Sequence, residues 1–242
     1  MRRGGGRAPG LTLTIWLVKL NNQLVMKRAP ARPDSRDRLL AAAAAEFAAR
    51  GFDGASVDRI ARAARVNKAM IYYHFRNKAA LYAEIFQAFI RAVLDRARKA
   101  AASPVDPADK IRAFIRALAE EAAARPHFPP MWLREIAGGG RHVDRATLDL
   151  IAQIPVTLGG IVAEGRAQGR FRLVHPLLLH FGIVGPLILF FVSQPVRERI
   201  TVPAVRAVPL ALEDALAEIE RATLAALAPD APGEPAGRPQ GR

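Results

Sequence analysis

Residues whose types could do chemistry crowd into one short stretch, which holds Ser56, Lys68, Tyr72, Tyr73, His74 and Lys78. Lysine supplies a point charge, tyrosine a polar tip on a rigid body, and helix N-termini favour anions, so the set suits contact with phosphates. Signatures of catalysis are missing: there is no Gly-rich phosphate loop, no HExxH and no nucleophile elbow. Five histidines lack metal-ligand spacing, although His127 and His142 flank a proline and glycine cluster where a metal could bind. Cysteine is absent, which removes disulfides, thiolate zinc sites and cysteine nucleophiles and fits a reducing cytoplasm. The sequence therefore predicts no enzyme, no cofactor, no metal and a cytoplasmic location.

Charge points the same way. The formal net charge is +14, with +6 in residues 1–31, +5 in 32–80, +3 in 81–229 and zero in the last thirteen. An excess of cations in the first third of a chain is the electrostatic footprint of a phosphate partner, or else a merely soluble basic surface.

The elements that must position these residues are helices. A chain of 242 residues, 51% apolar, can fill a sizeable core. Ala, Leu and Arg dominate over β-favouring types, so the expected fold class is all-α. Residues 1–33 read either as a disordered basic arm or as an over-extended start, with translation beginning at Met26; no signal-peptide cleavage pattern follows the short apolar piece Leu11 to Val18. Residues 34–80 form a first domain, 81–228 a second helical domain, and 229–242 a Pro/Gly-rich disordered tail.

Within this frame Leu39, Leu40, Ala43 and Phe47 recur at helical spacing behind a cap at Asp34 or Ser35, and Gly51 stops the helix. Ser56 caps a second helix that turns Val57, Ile60, Ala61 and Ala64 inward, and Asn67 caps a third with Met70, Ile71 and Phe75. Asn77 opens a long fourth helix striped by Leu81, Ile85, Phe89 and Val93, which ends near Ser103–Pro107. Pro107 starts a fifth, to about Arg125. A short segment Met131–Ala137, a Gly138–Gly140 turn and a helix from Asp144 to Gln168, kinked at Pro155, come next. Leu177–Val192 is almost wholly apolar yet short of the roughly 20 residues that span a bilayer, so a buried helix is expected and no membrane partner. Leu210–Leu227 reads as a last amphipathic helix.

Two short helices joined by a tight turn and supported by a third form a helix-turn-helix, the unit that places a second helix in the major groove. The ordered set Phe47, Gly51, Phe52, Ser56 to Ala61, Val66 to Phe75, and Asn77-Lys78 resembles the TetR family of regulators over roughly residues 35–82. The resemblance implies that Ser56 caps the second helix and donates to a phosphate. It implies that Lys68, Ala69 and Met70 open the recognition helix toward base edges, that Tyr72, Tyr73 and His74 pack against backbone and groove, and that Lys78 grips a phosphate. Two positions depart from the family pattern. Arg65 stands where a turn glycine is usual, so either a non-glycine residue bears the left-handed conformation or the turn is shaped differently. Met70 replaces a small or hydroxyl residue and could meet a thymine methyl instead.

The resemblance further implies a homodimer over a palindromic operator and a small-molecule effector held in the second domain. Leu177–Val192 with Leu210–Leu227 is the candidate dimer face, unless it is an intramolecular core. Phe128, Trp132, Phe181 and Phe190 are candidate pocket walls, with Arg134, Glu135, His142 or His180 as polar handles. The reading is a transcriptional repressor released by a small apolar or amphipathic effector. The alternatives are a ligand-independent DNA-binding or architectural protein, recognisable by a second domain packed without a cavity, and a helical enzyme or carrier, which needs a polar constellation in the core.

Overall fold

Chain breaks fall where the sequence places its punctuation. The computed structural model describes residues 34–203 and 210–229, so the arm expected at 1–33 and the tail past Pro229 lie outside the described residues. In chain order the helices are α1 (Ser35–Gly54), α2 (Val57–Ala64), α3 (Ala69–Phe75), α4 (Lys78–Ala102), α5 (Pro107–Ala124), α6 (Phe128–Ala137), α7 (Arg145–Ala167), α8 (Pro176–Val192), the single turn α9 (Gln194–Arg197) and α10 (Leu212–Leu227). Among the described residues there is no strand, and the fold is all-α.

Local chemistry explains most boundaries. Gly51 leaves the helical region at φ 69°, ψ −179°, a conformation that glycine alone adopts without cost, and so breaks α1 before its last residues. The side chains of Asn77, Asp106 and Asp144 accept hydrogen bonds from the backbone N–H of Ala80, Ala108 and Thr147, satisfying donors that the first turns of α4, α5 and α7 leave unpaired. Helix α6 begins at Phe128, earlier than the expected Met131, because Pro129 and Pro130 sit in its first turn, where no N–H is required. Ser56 occupies the N-cap position of α2 in an extended conformation, but its side chain makes no capping bond. Its backbone N–H donates to Glu46 Oε1 at 3.3 Å, so the start of α2 is held by a carboxylate from α1 and not by a hydroxyl cap.

The centre of the molecule is α4, which packs on α1, α3, α5, α6 and α7. It runs unbroken through position 80, where a domain boundary was expected, and buries Leu81 and Tyr82 on either side of that point. The recognition unit and the second lobe therefore share one helix. A half-buried ion pair fastens the far end: Lys110 Nζ lies 2.7 Å from Glu164 Oε2 and donates to the Ala101 carbonyl at 2.9 Å, tying α5 to α7 and to the end of α4. Helix α7 is long and apolar enough, by length and composition alone, to cross a bilayer; here it packs on α4, α5 and α8.

Helix α8 corrects one expectation in part. It buries Leu179, His180, Ile183 and Leu187 but leaves Leu178, Phe181 and Leu189 at 68%, 57% and 64% exposure. One face of this apolar helix closes the core, while the opposite face has no cover among the described residues.

Candidate nucleic-acid interface and cavity

The helix-turn-helix is built on a small apolar core. Ile60 and Ile71 are fully buried, with Ala61, Ala64 and Phe75 packed beside them, and each isoleucine removed from water contributes on the order of 1.5–3 kcal/mol. Ala61 is small where α2 and α3 converge, and its carbonyl accepts from Val66 N at 3.0 Å to close the turn. Arg65 carries the turn at φ 56°, ψ 46°, the left-handed region, so the first of the two options for this position holds. Asn67 Oδ1 accepts from Ala69 N at 2.8 Å and starts the recognition helix α3. At the other end of α3 a second arginine, Arg76, also has positive φ, 67°. Two exposed arginines in rare backbone conformations thus bracket the recognition helix, and only Arg65 stood out in the sequence.

The candidate contact residues on and beside the recognition helix divide into four groups. Tyr72 and Tyr73 are 50% and 78% exposed, which rules out core packing for both. Ala69 is exposed and Met70 half-buried against the core, so Met70 has only part of its side chain to offer a partner. Lys68 lies 2.8 Å from Asp58 Oδ1 on α2; the hydrogen bond to Asp58 raises the pKa of the lysine. Lys68 is therefore paired in the free protein. His74 and Lys78 face inward: His74 Nε2 is 2.8 Å from Ser35 Oγ, which ties α3 to the start of α1. Lys78 Nζ donates to the Ala55 carbonyl at 3.0 Å and sits 4.5 Å above the Phe52 ring. Both pin the recognition unit to its support.

A second set of bonds joins this unit to the lobe behind it. Tyr82, on α4, donates its hydroxyl to Glu135 Oε1 on α6 at 2.7 Å, and both side chains are buried. Burial, reinforced by the Glu135 carboxylate, pushes the Tyr82 phenol well above its ordinary pKa, so it remains a donor. The Gly138–Gly140 turn folds the chain back, placing His142 Nδ1 2.9 Å from Glu135 Oε1 and the imidazole in a stack on Phe52, centroids 4.4 Å apart. His142 Nε2 lies 3.4 Å from Asp53 Oδ1, and Arg141 reaches the same carboxylate at 2.9 Å. Arg134 Nη2 donates to the Ala49 carbonyl at 3.3 Å. Glu135, His142 and Arg134, expected as handles for a ligand, are thus spent on holding α1 and the turn after it. Their positions on α6 and its loop, not their types, decide this. Among the described residues no cluster of three metal-ligating side chains occurs.

An apolar cavity lies between α4, α5, α6, α7 and α8, walled by Phe89, Phe128, Trp132, Ile154, Leu187 and Phe191. Its volume is about 40 Å³, or about 510 Å³ when the gaps between lining atoms and the open mouth are counted. Phe128 and Trp132 line it as the sequence suggested, with Phe128 stacked on Phe89 at 3.6 Å. Phe181 does not: it sits on the outer face of α8, one residue on from the inward His180, because a step of one residue turns a helix by roughly 100°. His180 takes the polar place in the cavity. It is 7% exposed, its Nδ1 has no hydrogen-bond partner among the described residues, and burial lowers its pKa to about 4.

A short helix seated on two others, with its polar tips turned outward, is the geometry of a helix-turn-helix protein. Residues 39–85 match the sequence profile of bacterial regulatory proteins of the tetR family. The chain is 41% identical over 92 residues to the HTH-type transcriptional repressor SCO4008 of Streptomyces coelicolor, a match covering 38% of this chain and 44% of that protein. It is 26% identical over 147 residues to the HTH-type transcriptional repressor NicS of Pseudomonas putida, covering 60% of this chain and 69% of that one. The first of these matches thus spans less than half of the relative's length. Among solved structures, the TetR family transcriptional regulator PfmR from Thermus thermophilus aligns with a TM-score of 0.62 at 25% identity, over 82% of this chain and all of that one. Residues 39–85 are thus similar to the tetR family of bacterial regulatory proteins, and the fold is similar to that of a solved TetR family regulator.

Proposed function

We propose that this chain is a sequence-specific DNA-binding regulator, acting as a repressor by occupying promoter DNA and released when a small apolar molecule enters the cavity. The observation that carries the reading is the pairing of an outward recognition helix with a helix, α6, that serves two sites at once. On one side Phe128 and Trp132 wall the cavity; on the other Arg134 and Glu135 hold α1 and Tyr82. A cavity of about 40 Å³ admits only a few water-sized bodies. Any larger occupant must displace its walls, and displacing α6 shifts the bonds that orient the recognition unit. A ligand moves that equilibrium only by its unequal affinity for the two arrangements. The presence of a cavity favours this reading over a ligand-independent architectural protein, whose second lobe has no need of one.

One recognition helix reads few base pairs, and two-fold pairing doubles the site. The exposed face of α8 carries Leu178, Phe181 and Leu189 and at Leu178 adjoins Ala222 and Ala226 of α10, and a second copy of the same face is its natural cover. Phe181→Glu is expected to convert a dimer to a monomer by light scattering; an unchanged mass places the interface elsewhere.

The direct test is affinity for the DNA upstream of the chain's own gene against a scrambled duplex, across a salt series. Phosphate contacts predict a steep loss with salt, and base readout a preference of roughly a thousandfold or more. Tyr73→Ala, on a side chain 78% exposed, leaves the fold intact and weakens the specific complex. Binding indifferent to sequence for this DNA and for genome fragments alike refutes the reading.

A further inference from the structure

The cavity carries a chemical specification narrower than its shape. Its described lining contains no Lys, Arg, Asp or Glu, and its one titratable side chain is His180. An anion entering it would lose its hydration and meet no countercharge; a cation would meet no carboxylate. The faces that Phe89 and Phe128 turn on each other, 3.6 Å apart, are closed to a cation. What the site lacks internally is a partner for one atom. His180 is 7% exposed, and its Nδ1 makes no hydrogen bond among the described residues. A buried polar atom without a partner is costly unless something supplies one.

We propose that the cavity binds an uncharged, largely apolar alcohol or phenol, whose hydroxyl pairs with Nδ1 of His180. A hydroxyl both donates and accepts, so it fits either imidazole tautomer, whereas a carbonyl or an ether fits only one. Burial holds the imidazole neutral at physiological pH, which removes the one cation that could have welcomed a carboxylate. This specification rests on the effector reading above and narrows it to a class of molecule.

The test uses the full chain with Trp16→Phe, which leaves Trp132 in the cavity wall as the single tryptophan. Its emission is followed during titration, near neutral pH, with four probes of one shape: cyclohexanol, cyclohexanecarboxylate, cyclohexylammonium and methylcyclohexane. Cyclohexanol is expected to bind at least about tenfold more tightly than either ion. His180→Leu is expected to weaken cyclohexanol about five- to tenfold without weakening methylcyclohexane, and His180→Gln, which keeps a neutral partner, to restore most of the loss. An ion that binds as tightly as the alcohol, a His180→Leu variant that weakens alcohol and hydrocarbon alike or neither, or saturable binding by none of the four overturns the proposal. DNA release is measured separately: an alcohol that binds through His180 and leaves the DNA complex intact refutes the effector reading while the ligand class stands.

Discussion

Tyr82→Phe removes one oxygen and nothing else from the join between the recognition unit and the lobe behind it. The ring keeps its edge contacts with Phe47 at 4.8 Å, with Phe52 at 5.1 Å and its tilted contact with Phe86 at 4.8 Å, so packing is conserved. What goes is the 2.7 Å bond to the Glu135 carboxylate, which lies 4% exposed and keeps His142 as its remaining partner. A hydrogen bond to a charged group contributes about 1.5–3 kcal/mol. With about 2 kcal/mol lost, a chain of this size should melt about 4–8 °C lower. Urea unfolding at fixed protein concentration measures the loss directly. The decisive comparison is the same substitution in a Glu135→Leu background, where no carboxylate awaits the phenol: there Tyr82→Phe should cost less than about 0.5 kcal/mol, because removing both partners leaves nothing unpaired. An equal cost in both backgrounds would show that the loss arises from packing, and the account of this join would be wrong.

Three further outcomes follow from single positions. The His180 pKa falls from 6.5 to about 4 on folding, so between those values the unfolded chain binds more protons than the folded one. Its contribution, about 3 kcal/mol at 1.36 kcal/mol per unit, is complete above pH 6.5 and is lost as pH falls toward 4; His180→Leu should flatten that part of the urea-midpoint profile, and an unchanged profile would sink the assignment. A methyl group on Gly165 would stand inside van der Waals contact of the Phe171 ring. Gly165→Ala should therefore destabilise by about 1–3 kcal/mol, and Phe171→Leu beside it should recover part of the loss in thermal unfolding. Arg65 bears a left-handed conformation at φ 56°. Arg65→Gly should gain about 0.5–1 kcal/mol, relief of strain outweighing the added freedom of the unfolded chain, and a loss in urea unfolding would show that the arginine side chain holds the turn.

Much of the recognition unit was legible in the sequence because its constraints are local. Gly51, Asn67, Asn77 and Pro107 act on neighbouring N–H groups or on their own φ, and the periodic Leu39, Ala43, Phe47, Ile60 and Ile71 choose their faces by helical spacing alone. The family resemblance added the expectation that Tyr72 and Tyr73 point outward. The cavity was half legible. Phe128 and Trp132 were found by their size, whereas Phe181 was misplaced and His180 was one handle among four.

What the sequence by itself determined is therefore the helical class, the starts and stops of most helices, the recognition unit and the concentration of positive charge around it, all of which depend on residues within a turn or two of each other. Only the tertiary structure decided which polar residues are spent and which are left over. Glu135 meets Tyr82 across 53 positions, Arg134 meets Ala49 across 85, and Nδ1 of His180 finds no hydrogen-bond partner among the described residues. Whether a buried polar atom has a partner depends on distant segments arriving at the same place, and helical periodicity carries no information about that.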